Sequence, residues 1–139
     1  MGWKDSNEGS DERSKVSWNI SSSQSQHVFE LMKKATNFYL KGDLGNWYWT
    51  LSALRENINY ELTSTERGTL DTSEKQCNLY LIKWEGYLKS LSEGRSNLEL
   101  KKSKLLFSAS IRKYQREILD TLKDHGFFPD KEDRTKLSF

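Results

Sequence analysis

The chain has 139 residues, enough for one domain. Its apolar fraction, 35%, is low for a globular protein, so the polar excess is assigned to tails around a small core. Aromatic residues at 12% offset this in part, since each buries a large area. The 22 basic and 20 acidic residues leave a net charge of +2, too balanced to argue for a nucleic acid or membrane partner from charge alone. The single cysteine, Cys77, cannot form an internal disulfide and fits a reducing compartment. No apolar run is long enough to span a bilayer, and the N-terminus lacks the apolar stretch of a secretory signal. A cytoplasmic protein with no membrane contact is expected.

Residues 1–25 read as a flexible polar tail, rich in Ser, Asp, Glu, Lys and Asn. Within it Val16, Trp18 and Ile20 alternate with polar residues. That pattern fits a short extended segment that docks on the core or on another subunit. Residues 26–128 form the expected helical bundle domain. The first helix runs from about Ser25 to Leu40, with Val28, Leu31, Met32, Ala35, Phe38 and Tyr39 on one side. Gly42 stands where a helix ends, and Asp43 can cap the next one.

The second helix is expected from Asp43 to Leu62, and it carries two stripes. Trp47, Leu51, Leu54, Ile58 and Leu62 share one face, and Trp49, Ala53 and Tyr60 lie roughly opposite. Arg67-Gly68-Thr69 reads as a connection. Thr72 or Ser73 then caps a third helix, whose apolar side is Cys77, Tyr80, Leu81, Trp84, Tyr87, Leu88 and Leu91. Gly86 inside it allows close helix approach or simply weakens the helix. Glu93-Gly94-Arg95 ends it. Ser96 caps a fourth helix reaching Asp124, with Glu99 at the capping-box position. Its core stripe is Leu100, Phe107, Ile111, Tyr114, Ile118 and Leu122, and Gly126 terminates it. Residues 129–139 form a polar C-terminal extension. No alternating strand pattern occurs, so the expectation is an all-α, antiparallel four-helix bundle.

Catalytic chemistry finds no support in these residues. Cys77 lies on an apolar helix face, where cysteine is usually inert. Only His27, His125 and Cys77 could give nitrogen or sulfur to a metal, and their spacing is not that of ligands. No metal, cofactor or catalytic residue is assigned.

Two binding classes remain. For protein association the candidates are Trp49, Tyr60, Phe127 and Phe128, because Trp and Tyr dominate interface energetics. The competing reading closes the bundle end with Phe127 and Phe128 and packs Trp49 inside. For nucleic acid the candidates are Lys101, Arg112, Arg116 and Lys123 on one flank of the last helix, with Lys102 and Lys113 beside them. Such a stripe could follow a phosphate backbone. Against it, Glu99, Glu117, Asp120 and Asp124 line the next flank, where Lys113–Glu117 and Arg116–Asp120 can form ordinary ion pairs. A helix-turn-helix on helices two and three is disfavoured by a connection of about ten residues, longer than the turn of that motif. The sequence therefore favours a non-enzymatic interaction or assembly protein that forms a homo-oligomer or binds another subunit through an aromatic patch. A nucleic-acid-binding accessory protein is the alternative. The small, Ser-, Lys- and Asn-rich helical composition suits a phage or another mobile element.

Overall fold

The computed structural model describes residues 22–92 and 97–127. Four helices make up almost all of this, and no strand occurs among the described residues. Helix α1 spans Ser22–Leu40 and α2 spans Leu44–Ile58, followed by a single 3-10 turn, Asn59–Glu61. Helices α3, Ser64–Ser92, and α4, Asn97–Asp124, are longer. The 1–21 segment, the expected turn at Glu93-Gly94-Arg95 with Ser96, and residues 128–139, Phe128 included, lie outside the described residues.

The helix ends follow from local chemistry. Gly42 takes a left-handed φ of 74°, which lets its N–H reach the Tyr39 carbonyl at 3.0 Å and the Asp43 N–H reach Phe38 at 2.9 Å. These paired bonds satisfy carbonyls that the end of α1 would otherwise leave open. Asp43 then accepts from the Asn46 N–H at 3.3 Å and caps α2. Gly126, also at φ 74°, repeats the arrangement after α4, with Phe127 N–H on the Leu122 carbonyl at 2.9 Å.

The start of α3 differs from the sequence expectation. Arg67-Gly68-Thr69 is helical, and the helix begins at Ser64 rather than near Thr72. Thr63 and Glu66 explain why. The Thr63 N–H donates to the Glu66 carboxylate at 2.9 Å, and the Glu66 N–H donates to the Thr63 hydroxyl at 3.1 Å. This reciprocal capping box outweighs the roughly 1 kcal/mol that Gly68 costs inside a helix. Gly86 is settled too: a Cβ there would meet nothing within 4 Å, so no helix approaches it closely and the glycine only weakens α3.

Sequential neighbours run antiparallel. Between α2 and α3, Tyr48 meets Asn78, Ser52 meets Glu74, Arg55 meets Asp71 and Arg67 meets the Asn59 carbonyl, an even countercurrent step. Between α3 and α4, Glu66 meets His125, Ser73 meets Glu117 and Trp84 meets Phe107. Helices that stay in register this way are not crossed at the angle of a helix-turn-helix. The link from α2 to α3 is shorter than expected, so the antiparallel register, not connection length, sets this pair apart from a helix-turn-helix.

The core joins Val28, Leu31, Met32 and Ala35 of α1 to Trp47, Leu51, Leu54 and Ile58 of α2. Leu70, Cys77 and Leu81 of α3 and Phe107, Ile111, Tyr114, Ile118 and Leu122 of α4 complete it. The lengths do not match. At 1.5 Å per residue, α1 and α2 run about 28 and 22 Å, whereas α3 and α4 run about 43 and 42 Å. The α3–α4 hairpin therefore projects past the α1–α2 turn. This is why Leu88, expected in the core stripe, is 41% exposed. Of the described residues, no helix is long and apolar enough to cross a membrane.

Candidate interaction surface

Helix α2 sorts its side chains into three sectors. Trp47, Leu51, Leu54 and Ile58 are sealed in the core. The Trp47 ring packs against Tyr39 with centroids 4.7 Å apart, and its N–H donates to the Gln115 side chain at 2.8 Å. A buried indole N–H needs such a partner.

The second sector faces α3 and was not legible as a unit in the sequence. Tyr48, Ser52, Arg55 and Asn59 recur at 4, 3, 4 spacing and supply a polar seam. The Tyr48 hydroxyl donates to Asn78 at 2.7 Å, and Ser52 donates to Glu74 at 3.3 Å. The Arg55 guanidinium bridges Asp71 at 2.5 Å and Glu74 at 2.6 Å. Burial alone would lower the arginine's pKa, but the hydrogen bond and charge of Asp71, with Glu74 behind, raise it on balance. Arg55 remains charged, and its Nε is the buried polar atom without a partner among the described residues.

Burial pushes the Tyr48 phenol up to about 12 and drives Tyr114 up as well. It pushes the Cys77 thiol up to about 11, which disfavours the thiolate a nucleophile needs. All three groups hold their protons more tightly in the fold than in the open chain. Their contribution is therefore complete below the ordinary values of 9.0 for the thiol and 10.0 for the phenols. It is lost as pH rises through about 11 and 12, because the unfolded chain then releases protons the native state keeps. In a base titration, the part of the phenolate absorbance that Tyr48→Phe and Tyr114→Phe remove should appear together with the loss of helix content, above pH 10. That part appearing with the helices intact would contradict this.

The third sector of α2 is bare. Trp49 is 55% exposed, Tyr60, in the 3-10 turn that continues α2, is 60% exposed, and Ala53 and Glu56 between them are exposed too. Neither α1 nor the long hairpin covers it. Trp49 leans its ring against Tyr48 at 5.0 Å, which fixes its orientation without burying it. The Tyr60 hydroxyl accepts from the Gln24 side chain near the start of α1.

The other candidates fall elsewhere. Phe127 is half-buried against the core beyond α4, so it seals that end rather than joining the Trp49–Tyr60 face. Nearby, the His125 ring lies 3.0 Å from the Glu66 carboxylate and ties the end of α4 to the cap of α3. Lys101, Lys102, Arg112, Lys113, Arg116 and Lys123 are all exposed along α4. The expected Lys113–Glu117 and Arg116–Asp120 ion pairs do not form among the described residues. Glu117 instead accepts from the Ser73 hydroxyl. Arg112 sits 5.8 Å from the Tyr39 ring centroid. Among the described residues no group of three His, Cys, Asp or Glu is placed to hold a metal ion.

Exposed aliphatic residues also occur on the hairpin: Leu79 and Ile82, one turn apart on α3, and Leu98, Leu105 and Leu106 on α4 are open to solvent. Exposed aliphatic side chains are common on protein surfaces, whereas aromatic ones more often anchor interfaces. No family model, curated protein or solved structure matches the chain.

Proposed function

We propose that this protein is a non-enzymatic assembly module that self-associates through the Trp49–Tyr60 face of α2. The observation that carries the reading is the exposure of these two aromatic residues on the one sector of α2 that the described residues leave uncovered. A tryptophan and a tyrosine offer large contact area with few rotors to fix, which is why such residues anchor interfaces. Two copies of a helix face can meet about a two-fold axis, each Trp49 filling space beside the partner copy's small Ala53.

Sedimentation equilibrium tests this. The wild-type chain should gain mass with concentration. Trp49→Ala with Tyr60→Ala should weaken association by roughly 30-fold for each anchor worth about 2 kcal/mol. Helical circular dichroism should be unchanged. Association as tight as wild type in the double variant would contradict the proposal.

A second reading is favoured by the exposed basic stripe on α4, which has no carboxylate partner among the described residues. If Lys101, Arg112, Arg116 and Lys123 follow a phosphate backbone, affinity for a single- or double-stranded oligonucleotide falls steeply with salt. Arg112→Ala with Arg116→Ala then reduces the slope of log K against log salt by about 2. No binding at low salt would remove this reading.

A further inference from the structure

A groove of about 360 Å³ lies between α4 and the turn that joins α1 to α2. Tyr39, Leu40 and Leu44 form its apolar wall over the buried Trp47, and Lys104 and Ser108 line it from α4. The volume falls at the low end of the range of about 300–1,000 Å³ that small-molecule sites occupy. Apolar walls with a few placed polar groups are the usual make-up of such sites.

The polar side of the groove is rich in donors. Lys104, Ser108 and Arg112 stand four residues apart along one edge of α4, about 6 Å of rise per step. The Arg112 guanidinium lies 5.8 Å from the Tyr39 ring centroid, which sets it beside the same wall. Neither Lys104 nor Arg112 meets a carboxylate among the described residues. Ser103 and Ser110 turn their hydroxyls back onto carbonyls of α4, at 2.9 and 2.7 Å. The Ser108 hydroxyl has no such partner among the described residues. Asp43, next to Gly42 at the turn, accepts from the Asn46 backbone and side chain, so its charge is held at the α2 cap.

We propose that this groove binds a small anionic amphiphile: a medium-chain carboxylate with its head on Lys104, Ser108 and Arg112 and its tail along Tyr39, Leu40 and Leu44. Charge complementarity selects the head. A carboxylate accepts from cations and a hydroxyl together, and charge-assisted bonds of this kind are the stronger ones. The wall selects the tail, since each fully buried methylene adds about fourfold in affinity. An occupant held this way ties the α1–α2 turn to the last helix. The site is separate from the Trp49–Tyr60 face and does not depend on the role of that face.

The test titrates the full chain with sodium hexanoate, 1-hexanol and sodium acetate, followed by proton–nitrogen correlation spectra. For so small a ligand in an open groove the Kd is expected on the order of 1 mM. Hexanoate should shift the Trp47 indole N–H and the Gly42 and Ser108 amides along one saturating curve. Hexanol, which lacks the charge, and acetate, which lacks the tail, should each bind at least about tenfold more weakly. Lys104→Gln with Arg112→Gln should weaken hexanoate by about tenfold or more and leave hexanol unchanged. Lys104→Gln alone, which spares the basic stripe of the nucleic-acid reading, should give part of that loss. Both residues are exposed, so neither change threatens the fold. No saturable shift of these three groups by hexanoate would overturn the proposal. So would hexanol binding as tightly as hexanoate, or undiminished hexanoate binding by the double variant. Shifts confined to Trp49, Ala53 and Tyr60 would also overturn it, because the amphiphile would then sit on the other face of α2.

Discussion

Trp47→Ala is expected to destabilise the protein by about 3–5 kcal/mol, while Trp49→Ala, two residues away, changes stability by no more than about 0.5 kcal/mol. Trp47 is fully buried, packs on Tyr39 and holds the buried Gln115 side chain. Removing it opens a cavity between α1, α2 and α4 and leaves the Gln115 amide oxygen without its donor. That second loss adds to the first, because a buried acceptor left unpaired keeps its full desolvation penalty. A domain of this size has only about 5–15 kcal/mol in total, so the variant would sit near its unfolding transition. Trp49 loses only a ring contact with Tyr48 and some solvent-exposed area. Urea titrations of the two variants measure the difference. Equal losses would mean that Trp49 is part of the core.

The second large effect concerns Arg55. Its side chain is 6% exposed and carries a charge that Asp71, Glu74 and Asn59 satisfy among the described residues. Removing one partner of a fully buried ion pair costs about 3–5 kcal/mol. Here the two carboxylates differ in their access to water: Asp71 is 54% exposed and Glu74 is 29% exposed. Both can regain some hydration, so Arg55→Ala should cost about 2–3 kcal/mol, below that range. A double-mutant cycle should divide the effect unevenly. Coupling between Arg55 and Asp71 should fall in the exposed range of about 0.2–1 kcal/mol, and coupling to Glu74 should exceed it. Glu74 also accepts from Ser52, whose hydroxyl lies 3.5 Å from that of Tyr114, so its loss loosens the seam between α2, α3 and α4. Equal coupling to both carboxylates would contradict this geometry.

What the sequence made legible was the periodic apolar pattern. The stripes of α1, α2 and α4 face the core, except for Leu100 near the start of α4, because wherever a helix meets the core its 3.6-residue repeat is written in large apolar side chains. Gly42 and Gly126 also ended their helices as expected, since a left-handed φ favours glycine.

The misreading at α3 came from weighting Gly68 above Thr63 and Glu66. The capping box was present in the sequence, but it followed a polar stretch rather than introducing an apolar run. Leu70, buried in the core, was consequently missed. The seam of Tyr48, Ser52, Arg55 and Asn59 was harder to see. It is polar and helical at once, and only the tertiary approach of Asp71 and Glu74 separates a buried arginine from a solvated one. The face carrying Trp49 and Tyr60 could be drawn from spacing alone, whereas its exposure depended on where α1 and the hairpin lie.

Self-association through the exposed sector of α2 requires that sector to be where chains meet. Isotope-filtered nuclear magnetic resonance on an equal mixture of carbon-13-labelled and unlabelled protein addresses this directly. In the associated state, intermolecular contacts should arise from the Trp49 indole and the Tyr60 ring and reach Ala53 of the other copy, with none from Trp47. Contacts mapping instead to Ile82, Leu98 and Leu105 on the projecting hairpin, or no intermolecular contact at any concentration, would contradict it.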